Sequence, residues 1–82
     1  MPAEPAWSHL LHAEADGSYR LEVIDEDGIT VPVARQVSQA QAERLLAKIA
    51  QESHQTRKPI AAVVRDPWFM ASAVITTKRL RI

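Results

Sequence analysis

The alternation of apolar and polar residues in the first half of the chain predicts β-strands. In residues 18–25, apolar side chains such as Leu21 and Val23 alternate with charged ones. This two-residue period is typical of a strand that buries one face. Residues 7–14 predict a strand before this one, and the alternating apolar residues of 29–33 predict a third strand after it.

Two short polar segments separate these strands and predict tight turns. Asp16 and Gly17 form a favourable two-residue hairpin turn, because glycine tolerates a positive φ. The sequence DEDG at residues 25–28 is typical of a hairpin loop closed by a glycine bulge. Pro32 cannot donate a hydrogen bond to a neighbouring strand, so the third strand is expected at an edge of the sheet.

A helix is predicted over residues 39–53. Ser38 is followed three residues later by Gln41, the spacing of a capping box at a helix N-terminus. Apolar residues then recur at helical spacing and form one stripe. The stripe consists of Ala42, Leu45, Leu46 and Ile49.

Two apolar segments after the helix predict further strands. Residues 60–64, IAAVV, form an apolar run without alternation, which is typical of a strand covered on both faces. Asp66 and Pro67 could begin a helix, with aspartate as the cap and proline at the first position. The β-branched sequence VITT argues against a long helix. A short loop or a single turn is therefore expected, followed by a strand over residues 71–82.

These elements predict an α+β fold. We expect a single antiparallel or mixed sheet of four to five strands with one helix packed on one face, in the order βββαββ. Residues 1–6 are expected to form a disordered tail and residues 7–82 a single small domain. The predicted core consists of Leu21, Val23, Val31, Val33, Leu45, Leu46, Ile49, Val63, Val64 and Ile75.

The predicted fourth and fifth strands leave an apolar second face on the sheet. One helix can cover only one face, so something else must cover the other. The candidates are the segment around Trp7, the bulky residues 68–70, and another chain.

Composition restricts the class of protein without identifying its function. The chain has 82 residues, 46% hydrophobic and 24% charged, as in an ordinary soluble domain. It contains no cysteine, which excludes disulfides and cysteine-based zinc sites. No apolar run reaches the length of a membrane span, and the first residues do not resemble a signal peptide. We therefore expect a cytoplasmic protein.

The net charge of zero conceals an uneven distribution. Residues 1–28 carry seven acidic residues and one basic residue, whereas residues 29–82 carry nine basic residues and three acidic ones. Such asymmetry can mark a charged face for a partner of opposite charge. Alternatively, the two halves fold against each other and their charges pair.

No pattern of residues predicts catalysis. His9 and His12 lie three residues apart, so on a strand they point to opposite faces and are poorly placed to share a metal ion. On a helix they would be neighbours, but two ligands make a weak metal site. The acidic turn at 25–28 lacks the alternating acids and the distal glutamate of a calcium loop. We expect no enzymatic activity, metal or cofactor.

The C-terminal half has the composition of a protein-binding surface. Tryptophan, methionine and arginine are enriched at interface centres, and three consecutive bulky residues at 68–70 cannot all point inward. These residues can also belong to the core of so small a domain. The predicted partner-binding residues are Arg65, Trp68, Met70, Lys78, Arg79 and Arg81; Asp25, Glu26 and Asp27 form a second, acidic candidate surface. A second copy of the chain is one possible partner.

A nucleic-acid-binding domain is the alternative hypothesis. Basic residues of the C-terminal half could neutralise phosphates, and Trp68 could stack on a base. The layout of residues 7–53, three strands and a helix, resembles the arm-type DNA-binding domain of tyrosine recombinases. The acidic turn lies where such a domain would contact DNA, and the zero net charge also counts against it.

The whole chain also resembles some small phage-encoded anti-CRISPR proteins. The resemblance rests on GSYRLEVIDEDG at residues 17–28, the helix after it, and the terminal LRI. It implies a sheet with one helix and a function as a non-enzymatic inhibitor, which binds a larger protein or complex and blocks it. It assigns no functional residue in this sequence.

Overall fold

A computed structural model describes residues 6–79 and shows a three-stranded antiparallel sheet followed by helices. The strands are β1 (Ser8–Ala13), β2 (Tyr19–Ile24) and β3 (Thr30–Val37), and the helices are α1 (Gln39–Thr56), α2 (Ile60–Val63) and α3 (Pro67–Lys78). The three predicted strands and the helix after them are confirmed. Most of the predicted disordered tail, and Arg81 with the end of the predicted last strand, lie outside the described residues.

The strands form a meander in the order β1-β2-β3. Gly17 and Gly28 adopt positive φ angles of 86° and 78° in the two turns, as the hairpin chemistry predicts. The register aligns Leu21 with Leu11 and with Ala34. β3 is an edge strand of this sheet, which is compatible with a proline in it.

α1 begins and ends with well-formed caps. The Ser38 hydroxyl accepts a hydrogen bond from the Gln41 N–H at 3.0 Å, and the Gln41 side chain accepts one from the Ser38 N–H at 2.8 Å. At the other end Arg57 adopts a left-handed φ of 55°, and its N–H donates to the Ser53 carbonyl. The helix therefore runs three residues beyond the predicted end at Ser53.

The predicted fourth and fifth strands are wrong. Ile60–Val63, within the predicted fourth strand, form the single turn α2, and residues 67–78 form the three-turn helix α3. The Asp66 carboxylate accepts hydrogen bonds from the N–H groups of Trp68 and Phe69, and Pro67 occupies the first turn. This N-terminal cap, together with packing against α1, outweighs the β-propensity of VITT.

The core lies between one face of the sheet and the helices. Leu21 and Val23 from β2 are fully buried there, together with Leu45 and Ile49 from α1. Of the ten predicted core residues, nine are buried or pack against the buried cluster. Ile75 is the exception: it is 52% exposed, because helical geometry turns it away from the core. Within residues 6–79 there is no apolar second sheet face, because residues 60–63 and 67–78 are helical and not strands.

Candidate functional site: the outward face of the last helix

Helix α3 presents an apolar surface that the other described residues leave uncovered. At 100° per residue, Trp68, Ala71, Ile75 and Lys78 lie on the side of the helix opposite the buried residue Ala73. Trp68 is 87% exposed, and Ile75 is 52% exposed. We call the surface formed by Trp68, Ala71, Ile75, Lys78 and the following residue Arg79 the α3 face.

The start of α3 explains why its bulky residues separate. Asp66 and Pro67 set the phase of the first turn, so the next three side chains point in different directions. Phe69 and Met70 are half-buried and pack against the core, whereas Trp68 points into solvent. Met70, a predicted binding residue, therefore belongs mainly to the fold.

The charged end of the α3 face is basic. Lys78 lies in the last turn of α3 and Arg79 is its C-terminal cap residue, positions at which cations interact favourably with the helix dipole. Both are exposed, and residues 67–79 contain no carboxylate. The Gln41 side chain donates to the Lys78 carbonyl at 3.4 Å, which places this end of α3 beside the start of α1. Arg81 lies outside the described residues.

Arg65 lies at the surface, as the sequence predicts, but its guanidinium is paired within the fold. Its Nη1 atom lies 3.0 Å from Oδ2 of Asp25 and also donates to the Ala61 carbonyl at 2.8 Å. The Asp25 side chain is completely buried, and its other oxygen, Oδ1, accepts hydrogen bonds from the N–H groups of residues 27 and 29. Two predicted surface residues, one acidic and one basic, therefore bind each other.

Glu26 is also occupied within the fold. Its carboxylate accepts hydrogen bonds from the N–H groups of Ile60 at 2.6 Å and Ala61 at 3.0 Å, the first turn of α2. Asp27, by contrast, is exposed at the hairpin tip. Of the predicted acidic surface, two residues attach the hairpin to α2 and one faces solvent.

Hydrogen bonds lower the pKa values of the Asp25 and Glu26 carboxylates. Burial acts to raise the pKa of Asp25, but the hydrogen bonds from the Ile29 N–H and the Arg65 guanidinium outweigh it and hold the pKa below its ordinary value. Burial also acts to raise the pKa of Glu26, but the hydrogen bonds from the Ala61 and Ile60 N–H groups outweigh it. The pKa of Glu26 therefore also lies below its ordinary value. Both side chains are therefore ionised at neutral pH.

A shallow groove of about 220 Å³ runs between α1 and α3, beside the α3 face. Lys48 and Thr76 line it, and Glu52 and Ser72 also contribute. Its lining is mostly polar. The groove therefore extends the α3 face laterally, towards α1.

The sequence analysis missed Ile75 as a surface residue. Its spacing of seven residues from Trp68 is the helical repeat that brings two side chains onto one face. That signal was present in the sequence. It becomes visible only when residues 67–78 are assigned to a helix.

The remaining candidate chemistry is limited within residues 6–79. His12 Nε2 lies 2.6 Å from Oε1 of Glu22 on the sheet. The described residues include no group of three or more histidine, cysteine, aspartate or glutamate side chains that could hold a metal ion. None of the described helices has the length and apolar character needed to span a membrane.

Comparisons with known proteins returned no match: no family model, curated protein or solved structure is similar to this chain.

Proposed function

We propose that this protein is a non-enzymatic protein-binding module whose contact surface is the α3 face. The observation that carries the proposal is the 87% exposure of Trp68 on a capped helix, with Ile75 on the same side. A tryptophan can bury 150–250 Å² in an interface. At about 25 cal/mol per Å², that burial amounts to roughly 4–6 kcal/mol before the costs of association.

The composition of the α3 face supports this proposal. Tryptophan and arginine are the side chains most enriched among residues that dominate binding energy. Here an aromatic residue, an aliphatic residue and two cations follow one another along about three turns of helix. The helix is attached to the core through Phe69 and Met70, so the face is presented on a rigid element.

We further propose that binding inhibits the partner by covering part of its surface. This part of the proposal draws on the resemblance to small anti-CRISPR proteins and on the small size of the domain. An inhibitor of this kind needs a rigid contact surface and no chemistry of its own. The α3 face supplies such a surface.

Nucleic-acid binding is the second candidate function. Trp68 shares the α3 face with Lys78 and Arg79, so a base could stack on the indole while the cations contact phosphates. Arg65 contributes less than the sequence suggested, because it is paired with Asp25. A protein partner is preferred because the α3 face carries few cations for a phosphate-binding surface.

Site-specific photo-cross-linking in the native cells tests the proposed function. A photoreactive residue at Ala71 lies between Trp68 and Ile75, and one at Ala47 on exposed α1 is the matched control. We expect a discrete protein adduct from position 71 that is absent at position 47 and is lost in Trp68→Ser. A nuclease-sensitive adduct at position 71, or equal adducts at both positions, would contradict the proposal.

A further inference from the structure

We propose that the α3 face receives an acidic amphipathic helix of the partner, which lies antiparallel to α3 with its carboxylates at the α3 C-terminus. This inference rests on the proposed function and specifies the chemistry of the partner. It follows from the distribution of charge along α3, the spacing of its exposed apolar residues, and the small residue between them.

The cations at the C-terminal end of the α3 face favour a partner with carboxylates. Lys78 and Arg79 are exposed at the C-terminal end of the α3 face, and no carboxylate lies on residues 67–79 to neutralise them. Lys48 of α1 adds a cation in the adjoining groove. Glu52 also lines this groove, one helical turn beyond Lys48 and towards the start of α3. The positive potential is therefore greatest at one end of the face, where carboxylates of a partner are favoured.

The spacing of the exposed apolar residues on α3 favours a helix as the occupant. Trp68 and Ile75 are seven positions apart on the helix, a distance of about 10.5 Å along its axis. Ala71 lies between them, and its small side chain allows a second helix to approach closely. The cations follow about 5–6 Å further along the axis. An occupant of about three turns, with two large apolar residues and then carboxylates, matches this spacing.

The direction of the occupant follows from its own helix dipole. Carboxylates stabilise a helix when they lie in its first turn. If the partner's acidic first turn contacts Lys78 and Arg79, the two helices are antiparallel and their dipoles oppose. The same carboxylates then stabilise both the partner helix and the contact.

A second copy of this chain does not fit as well. Two α3 helices packed antiparallel would bring Lys78 of one copy to the start of α3 in the other, where the Asp25 carboxylate is already paired with Arg65. The acidic residue at that end, Asp66, already accepts two hydrogen bonds as the helix cap. Charge therefore favours a different, acidic chain over self-association.

Titration with designed peptides tests this inference. The probe is a helical peptide of about fourteen residues, with two leucines seven positions apart and glutamates in its first turn. One control peptide has lysines in place of the glutamates, and another has serines in place of the leucines. In a Trp7→Phe background, the emission of Trp68 reports binding. We expect a blue shift, and at least about tenfold tighter binding of the glutamate peptide than of the lysine peptide at low salt.

Matched variants attribute the result to the α3 face. The double change Lys78→Glu and Arg79→Glu is expected to reverse the preference between the two charged peptides, whereas Arg35→Glu with Lys58→Glu, an equal charge change at exposed positions, leaves it unchanged. Ile75→Ser is expected to weaken binding, and Leu10→Ser, at another exposed apolar position, is not. Circular dichroism shows that each variant is folded.

Several outcomes overturn the inference. Equal binding of the charged peptides, or no effect of the charge reversal, excludes an acidic helix. Binding to a single-stranded oligonucleotide or to vesicles containing phosphatidylglycerol, without binding to the glutamate peptide, assigns the face to another anionic partner. If the peptides fail but the protein adduct at position 71 persists, the proposed function stands and only this partner chemistry is wrong.

Discussion

At the scale of single residues, burial separates structural from surface side chains in a way that residue type does not. Asp25 and Arg65 are charged, yet they form a pair in which the carboxylate is fully buried. Trp68 and Ile75 are apolar, yet both are exposed. Residue type predicted the opposite location for Asp25 and Ile75, because neither composition nor spacing shows which side chains the fold brings together.

Trp68→Ala is expected to change the free energy of unfolding by less than about 0.5 kcal/mol, because the side chain makes little contact with the core. Leu45→Ala is expected to cost about 2–5 kcal/mol, because Leu45 is fully buried. Urea denaturation of the two variants measures the difference. A loss of 3 kcal/mol or more in Trp68→Ala would place the indole in the core and remove the basis of the α3 face.

Stability is expected to decrease in acid because Asp25 and Glu26 have lowered pKa values in the folded state. Such carboxyls stabilise the fold fully above their unfolded-state pKa of about 4. This contribution is lost as the pH falls through the lower, folded-state pKa values. Thermal unfolding between neutral pH and strong acid measures the loss.

The double variant Asp25→Asn with Glu26→Gln should have a smaller dependence of stability on pH over the acidic range than the unchanged protein. Asp27→Asn, at the exposed tip of the same hairpin, is the control. An unchanged pH dependence in the double variant would show that other carboxyls are responsible.

At the scale of elements, caps and packing decided the structure of the second half of the chain. Residues 60–64 are short, apolar and without alternation, so the sequence could not distinguish a buried strand from a buried helical turn. The choice depends on Glu26, thirty-four residues away, which supplies the acceptor for the first N–H groups of α2. For α3 the Asp66-Pro67 start signal was correct, and the β-branched residues after it were misleading.

Asp66→Ala is expected to destabilise the protein by about 0.5–2 kcal/mol, because it removes the acceptor for the Trp68 and Phe69 N–H groups. Asp66→Ser should recover most of this loss, because serine is also a good N-cap residue. Chemical denaturation and the helical signal in circular dichroism measure both variants. An equal loss for alanine and serine would show that Asp66 acts through its charge and not as a cap.

At the scale of the whole molecule, carboxylates of the acidic half bind groups of the basic half where the Asp25–Gly28 turn meets α2 and Arg65. Asp25 pairs with Arg65, and Glu26 binds the start of α2, so the hairpin of the acidic half holds the helices of the basic half. Lys78 and Arg79 take no part in these contacts, so the exposed end of α3 is basic. The charge asymmetry therefore serves both the fold and the candidate site.

The protein is expected to be a monomer at micromolar concentration. A second chain was one candidate to cover an apolar second sheet face, and the described residues contain no such face because residues 60–63 and 67–78 are helical. The exposed apolar residues of the α3 face lie beside Lys78 and Arg79, and the same face of a second copy offers these cations no carboxylate. Light scattering over a concentration series measures the mass. A stable dimer that Ile75→Ser dissociates would assign the α3 face to self-association.

The sequence by itself determined the features that depend on neighbouring residues. The two hairpins follow from glycine at positive φ, the strand faces from the alternation of residues, and α1 from its capping box and apolar stripe. Each of these signals lies within a few residues of the structure that it specifies. The basic, aromatic character of the C-terminal half was visible at the same local scale.

Only the tertiary structure decided what the apolar segments after α1 become and which charged residues remain on the surface. The cap of α2 and the ion pair of Arg65 join residues that are 34–40 positions apart. Their formation depends on the packing of the hairpin against the helices, which no local pattern encodes. Because α3 is a helix and not a strand, Trp68 and Ile75 share one exposed face, and the candidate site exists only in the folded chain.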